Sequence, residues 1–123
     1  MQNEKEKFKE NFVKRLVRFS VAIINFIERI KVRRVLWPIA DQLIRSATSI
    51  GANVVEAKSS SSKRDYIHFF EIALKSANET KYWLIVIKES VEEFRKETEL
   101  LYQEADELSK IIASSVLTLK GKK

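Results

Sequence analysis

The chain has 123 residues and a net charge of +6, from 23 Lys/Arg against 17 Asp/Glu, a length that suits one domain with its own core. The absence of cysteine excludes disulfides, thiolate zinc sites and cysteine nucleophiles together. With only two glycines and one proline, breaks are few and long uninterrupted helices are expected.

The opening MQNEKEKFKEN is polar and charged, with no apolar h-region behind it. From there Phe8, Phe12, Leu16, Phe19, Ile23, Phe26 and Ile30 recur at helical spacings, which predicts a first helix over about residues 6–33. Val13, Val17, Ile24 and Ile27 run beside this stripe and widen the apolar face, as a helix packed against more than one neighbour requires. Residues 1–34 hold 10 Lys/Arg against 4 Glu, so the first helix and its exit carry a balance of +6. Such a localised basic element suits phosphates. A solvated helix face in a mildly basic protein accounts for the same charge.

Pro38 disfavours helical geometry at Trp37 and suits the first turn of a second helix, about residues 37–58. Ile39, Leu43, Ala47, Ile50 and Val54 form its apolar side, and beside them runs a polar line of Gln42, Ser46, Ser49, Asn53 and Glu56. This line fits either a ligand groove or a hydrogen-bonded network that fixes helix register, with Asn78 and Glu79 as partners. Gly51 costs a helix about 1 kcal/mol relative to Ala, which suggests a packing reason for it.

The run Ser59, Ser60, Ser61, Ser62 breaks the pattern, and Ser62-x-x-Asp65 has the spacing of a capping box. Lys58, Lys63 and Arg64 around it also suit an anion, although no glycine-rich turn accompanies them. A third helix follows over about residues 63–89, with Tyr66, Phe70, Ala73, Ala77, Leu84 and Ile87 along one side. Its YWLIVI run (residues 82–87) is the longest apolar stretch and falls far short of the ~20 residues that span a bilayer. Ser90-x-x-Glu93 offers another cap before a fourth helix, about residues 95–119, in which Leu101, Ala105, Leu108, Ile112, Ser115 and Leu119 repeat. Short connections between four long helices predict an all-α, antiparallel up-down-up-down four-helix bundle, cytoplasmic and without a membrane span.

No enzymatic constellation is visible. His68 is the single histidine, no serine lies in a G-x-S-x-G context, and Gly51 and Gly121 cannot build a phosphate loop or a dinucleotide fingerprint. Asp65, His68 and Glu71 share a helical face, but the pattern lacks the paired Glu-x-x-His motifs of bundle metal sites. No catalytic residue, metal or cofactor is expected.

The segments RSATSIGANVVEA (residues 45–57) and SSKRDYIHFFEIALKSANETKYWL (residues 61–84) closely resemble the four-helix-bundle 23S rRNA-intervening-sequence proteins. Of that family's S-I-x-x-N-I-A-E-G pattern, Ser49, Ile50, Asn53 and Glu56 match, while Val55 and Ala57 replace the Ala and the helix-ending Gly. The resemblance implies a bundle that assembles as a ring, commonly a homopentamer. It also implies a distant likeness to the accessory protein of diversity-generating retroelements, a basic pentameric barrel that binds nucleic acid and a reverse transcriptase. Five copies of +6 amount to +30, enough for multivalent phosphate binding. The expected contacts are Lys14, Arg15, Arg18, Arg33 and Arg34. Because most aromatics fall on core stripes, binding to RNA or DNA is expected to be backbone-directed and sequence-tolerant. The alternative is a protein–protein scaffold that recruits a partner enzyme.

Overall fold

The computed structural model describes residues 2–122. Helix α1 (Glu4–Ile30) starts where the Asn3 side chain accepts the Glu6 N–H at 2.8 Å, with Glu4 and Glu6 at the positive end of the helix dipole. This cap moves the start ahead of the expected residue 6. The helix stops at Ile30, short of the expected residue 33, because Arg33 is extended (φ −98°, ψ 96°) and leads into a 3-10 turn at Arg34–Leu36.

Helix α2 (Trp37–Ala57) carries Pro38 in its first turn, where a missing N–H goes unnoticed. Trp37 is itself helical (φ −55°, ψ −47°), contrary to the expectation from Pro38. The ring raises the cost of that geometry without forbidding it. Here the Trp37 backbone N–H is bonded to the Arg34 carbonyl, and its indole N–H donates to the Lys31 carbonyl at 2.8 Å. Without a glycine, α2 ends by tightening: the N–H groups of Lys58, Ser59 and Ser60 donate to the carbonyls of Val55, Glu56 and Ala57. Ser62 then caps helix α3 (Lys63–Ser90), accepting the Asp65 N–H at 3.1 Å. Ser90 does not cap. It is the last helical residue and donates to the Val86 carbonyl, and a 3-10 turn (Glu92–Phe94) leads into helix α4 (Arg95–Leu119).

Helices α1 and α3 each pack on both α2 and α4, which gives the antiparallel four-helix bundle predicted from the sequence. All four contribute to one core, and its largest fully buried side chains include Phe26, Leu16, Ile23, Leu43, Leu84 and Ile112. Two expectations for α1 fail: Val17 and Ile24 are exposed, and so is Phe8, which keeps the stripe's phase but belongs to the terminal turns of α1.

Small residues bring helices together. A Cβ built on Gly51 would lie 3.3 Å from the Leu16 Cβ, so the glycine permits the close approach of α1 and α2. Between α2 and α3, fully buried Ala47, Ala73 and Ala77 accompany a ladder of hydroxyls. Thr80 Oγ1 lies 3.0 Å from Ser46 Oγ and 2.8 Å from the Ser76 carbonyl. Ser76 Oγ lies 2.9 Å from Ser49 Oγ, which also accepts from Asn53 Nδ2 at 2.9 Å. Each hydroxyl has one proton, and the geometry accommodates that: Ser46 can donate to Thr80 while Thr80 donates to the Ser76 carbonyl. Ser46, Ser49 and Asn53 of the polar line are thus joined to α3. Gln42 and Glu56 are exposed at its two ends and make no bond in the seam. The α3 partners are Ser76 and Thr80, not Asn78 and Glu79, because positions 73, 76, 77, 80 and 84 share the inward phase of α3. Asn78 is exposed, and Glu79 accepts the Trp83 indole N–H.

Two stability predictions follow from these contacts. Gly51→Ala should stay within about 1 kcal/mol of the parent, since the helix-propensity gain offsets the tight contact with Leu16. Gly51→Val should cost about 2 kcal/mol by overpacking. Urea melts of both variants check the ordering, and equal stability would deny the close approach. Thr80→Val and Ser46→Ala should each cost about 1 kcal/mol. The double variant should lose less than the sum of the two, a coupling that a double-mutant cycle measures and that strict additivity would refute.

Candidate functional site

The five cations expected to meet phosphates do not form one surface. Arg15 donates to Glu104 through Nε at 2.8 Å and Nη2 at 2.6 Å, and to Glu107 at 3.2 Å. The Glu104 hydrogen bond is the main reason its pKa is raised. Arg33 bonds Glu93 at 2.7 Å, and Lys14 lies 3.7 Å from Glu10. Arg34 sits over the Trp37 ring, 5.3 Å from its centroid. Only Arg18 is exposed without a partner among the described residues. Lys14 and Arg18 are separated from Arg33 and Arg34 by about 25 Å at 1.5 Å per helical residue. The neighbouring Arg29 is also held within the chain, by Glu97.

Uncommitted positive charge collects elsewhere. At the end of the bundle where α1 and α3 begin and α2 and α4 finish, Lys5, Lys7, Lys58, Lys63, Arg64 and Lys122 make no ion pair among the described residues. Lys9 lies 5.8 Å from the centroid of the Tyr66 ring. The acids of this end are partly engaged. Glu71 accepts from Lys120 at 2.6 Å, and that bond holds its carboxyl below the usual range. Glu10 is lowered chiefly by the Gln2 amide and then by Lys14, with Lys58 contributing at longer range.

The same end opens into a hollow of about 280 Å³. Phe8, Phe12, Val54, Tyr66, Phe70 and Leu119 supply its apolar lining; Lys5, Lys9 and Lys58 stand among them, with no carboxylate. A second hollow shares Lys9, Lys58 and Tyr66 and continues along Ser60–62 to Lys63. Lys5, Lys9, Lys58 and Lys63 thus line two adjoining hollows without a carboxylate, while a further hollow beyond Ser62 and Lys63 is lined by Asp65 and Glu71 as well. Burial raises the Tyr66 pKa, so its phenol keeps its proton at neutral pH. Most aromatics lie in the core or pack against it, and Phe8 is an exception: it is 58% exposed, stacked on Phe12 at 6.3 Å and adjacent to the lysines.

The Asp65, His68 and Glu71 line assembles no metal site. Among the described residues no group of three or more His, Cys, Asp or Glu is placed to hold an ion. Nor is any described helix long and apolar enough to cross a membrane.

Comparison with known proteins adds a family and no activity. Residues 9–114 match the family described as "23S rRNA-intervening sequence protein". A crystal structure of a protein with unknown function from the S23 ribosomal protein family of Bacteroides thetaiotaomicron VPI-5482 is 32% identical, with a TM-score of 0.80. The alignment covers 85% of this chain and 97% of that one. No curated protein matches. The four-helix bundle, the family match over most of its length and this identity together make the chain a member of the 23S rRNA-intervening sequence protein family.

Proposed function

We propose that this chain is a non-enzymatic, homo-oligomeric bundle that binds RNA or DNA through its lysine-rich end, largely without regard to sequence. The observation that carries this reading is the segregation of charge. Apart from Arg18, the cations along the middle of α1 and at its exit are tied to carboxylates or to Trp37, whereas Lys5, Lys9, Lys58 and Lys63 at the open end line two adjoining hollows that hold no acid. Phosphates are the general ligand of such a surface, and each one neutralised releases counterions. Assembly is supported by exposed Val17, Val21 and Ile24, which repeat at helical spacing on α1. In a ring of five, the arrangement that the family likeness suggests, the lysine-rich ends would be presented repeatedly and weak contacts would add up.

A protein-recruiting scaffold is the second reading. It is favoured by exposed Tyr82 and Ile85 on α3 and Leu100 on α4. Salt separates the two, because an apolar docking surface lacks the steep salt dependence of phosphate binding.

The expected outcome is salt-sensitive binding of short RNA and DNA duplexes by a particle larger than one chain. Lys9→Gln with Lys58→Gln should weaken binding across sequences and lower the salt slope by about 2. Lys14→Gln with Arg18→Gln should change the slope less. Fluorescence anisotropy across a salt series, with mass measured by light scattering, checks both. The reverse order would return the contact surface to the middle of α1, and a monomer would remove the assembly.

A further inference from the structure

We infer that the hollow at the lysine-rich end takes one unpaired nucleotide, its base on the Phe8 ring and its phosphate among Lys5, Lys9 and Lys58. This rests on the proposed nucleic-acid reading and adds a specific subsite to it. Phe8 lines the hollow, is backed by Phe12 and remains 58% exposed, so its other face is open to a planar group. Tyr66 is less suited, because Phe70 stacks on it at 5.0 Å and Lys9 stands over its ring. Stacking of bases on aromatic side chains beside a basic groove is the common device of single-strand recognition. At about 280 Å³ the hollow lies at the small end of ligand sites, which suits a nucleotide-sized group better than a large cofactor.

The hydroxyls on α4 narrow the chemistry further. Ser115 donates to the Ile111 carbonyl at 3.0 Å, and Thr118 donates to the Ser114 carbonyl at 3.0 Å. Each hydroxyl has a single proton, and with these bonds made the two offer acceptor lone pairs toward the hollow. A ligand that brings N–H or O–H donors as well as negative charge uses these acceptors and the lysines together. An aliphatic carboxylate answers the lysines but leaves the acceptors facing hydrocarbon. A nucleotide answers both, through exocyclic amino or ribose hydroxyl protons and its phosphate. Bases inside a duplex are already stacked on both faces, so the subsite favours unpaired over paired strands.

The experiment compares an eight-nucleotide single strand, a blunt duplex, and the same duplex with a two-nucleotide overhang that ends in 2-aminopurine. Each is titrated against the wild-type protein and against Phe8→Ala, a change at an exposed side chain whose folding is confirmed by thermal melting. The wild type should bind the overhang about tenfold tighter than the blunt duplex and should quench the 2-aminopurine. Phe8→Ala should lose both effects, so that it binds the overhang no more tightly than the blunt duplex. Adenosine monophosphate should displace the overhang contact, and decanoate should not. Equal affinity for blunt and overhanging duplexes, or quenching that survives Phe8→Ala, would overturn the subsite while leaving the phosphate-binding end in place. Displacement by decanoate alone would reassign the hollow to aliphatic anions. No binding of any nucleic acid at low salt would defeat the proposed function and the subsite together.

Discussion

Helices α1 and α4 run antiparallel, and the acids of α4 stop at Glu107. From residue 108 to the end of the chain there is no Asp or Glu. The acid-rich half of α4 therefore lies beside the middle and the end of α1, where Glu104, Glu107 and Glu97 take Arg15 and Arg29. Its acid-free turns lie beside the start of α1, where Lys5, Lys7 and Lys9 find no carboxylate to pair with. Topology thus decides which of the many cations of α1 are paired within the chain and which are left without a carboxylate. Individually such surface pairs contribute little to stability. Their consequence here is the placement of uncompensated charge.

That placement was partly legible beforehand. The concentration of positive charge in residues 1–34 is a property of the sequence, and so is the lack of acids after Glu107. Neither alone locates the site. Only when the fourth helix is laid antiparallel beside the first do Arg15 and Arg33 fall opposite carboxylates and Lys5 and Lys9 opposite none. The cations chosen from the sequence, Lys14, Arg15, Arg18, Arg33 and Arg34, reflect charge density along the chain without this pairing. Lys58 and Lys63 flank the serine break in the sequence, but their proximity to Lys9 depends on the bundle closing.

The helices themselves were legible because heptad-like periodicity and sparse Gly and Pro act locally. Periodicity gives phase but does not say how far the neighbouring helices extend. Phe8 keeps the same phase as Phe12 and Leu16, yet it is largely exposed whereas they are buried. The same limit affects the polar line of α2. Its central members, Ser46, Ser49 and Asn53, join the seam, while Gln42 and Glu56 do not. On α3 the partners proved to be the hydroxyls of Ser76 and Thr80, small enough to sit between closely packed helices. Longer Asn78 and Glu79 side chains would force α2 and α3 apart.

The division of α1 also bears on whether the proposed assembly and the proposed binding are compatible. Val17, Val21 and Ile24 lie on a different flank of α1 from Arg15 and Arg29, and well along the helix from Phe8. Copies that meet through this apolar flank need not bury the lysine-rich end. On the proposed reading, the antiparallel placement of α4 would serve two ends at once: it pairs Arg15 and Arg29 in the middle of α1 and leaves the lysines of the bundle end without a carboxylate.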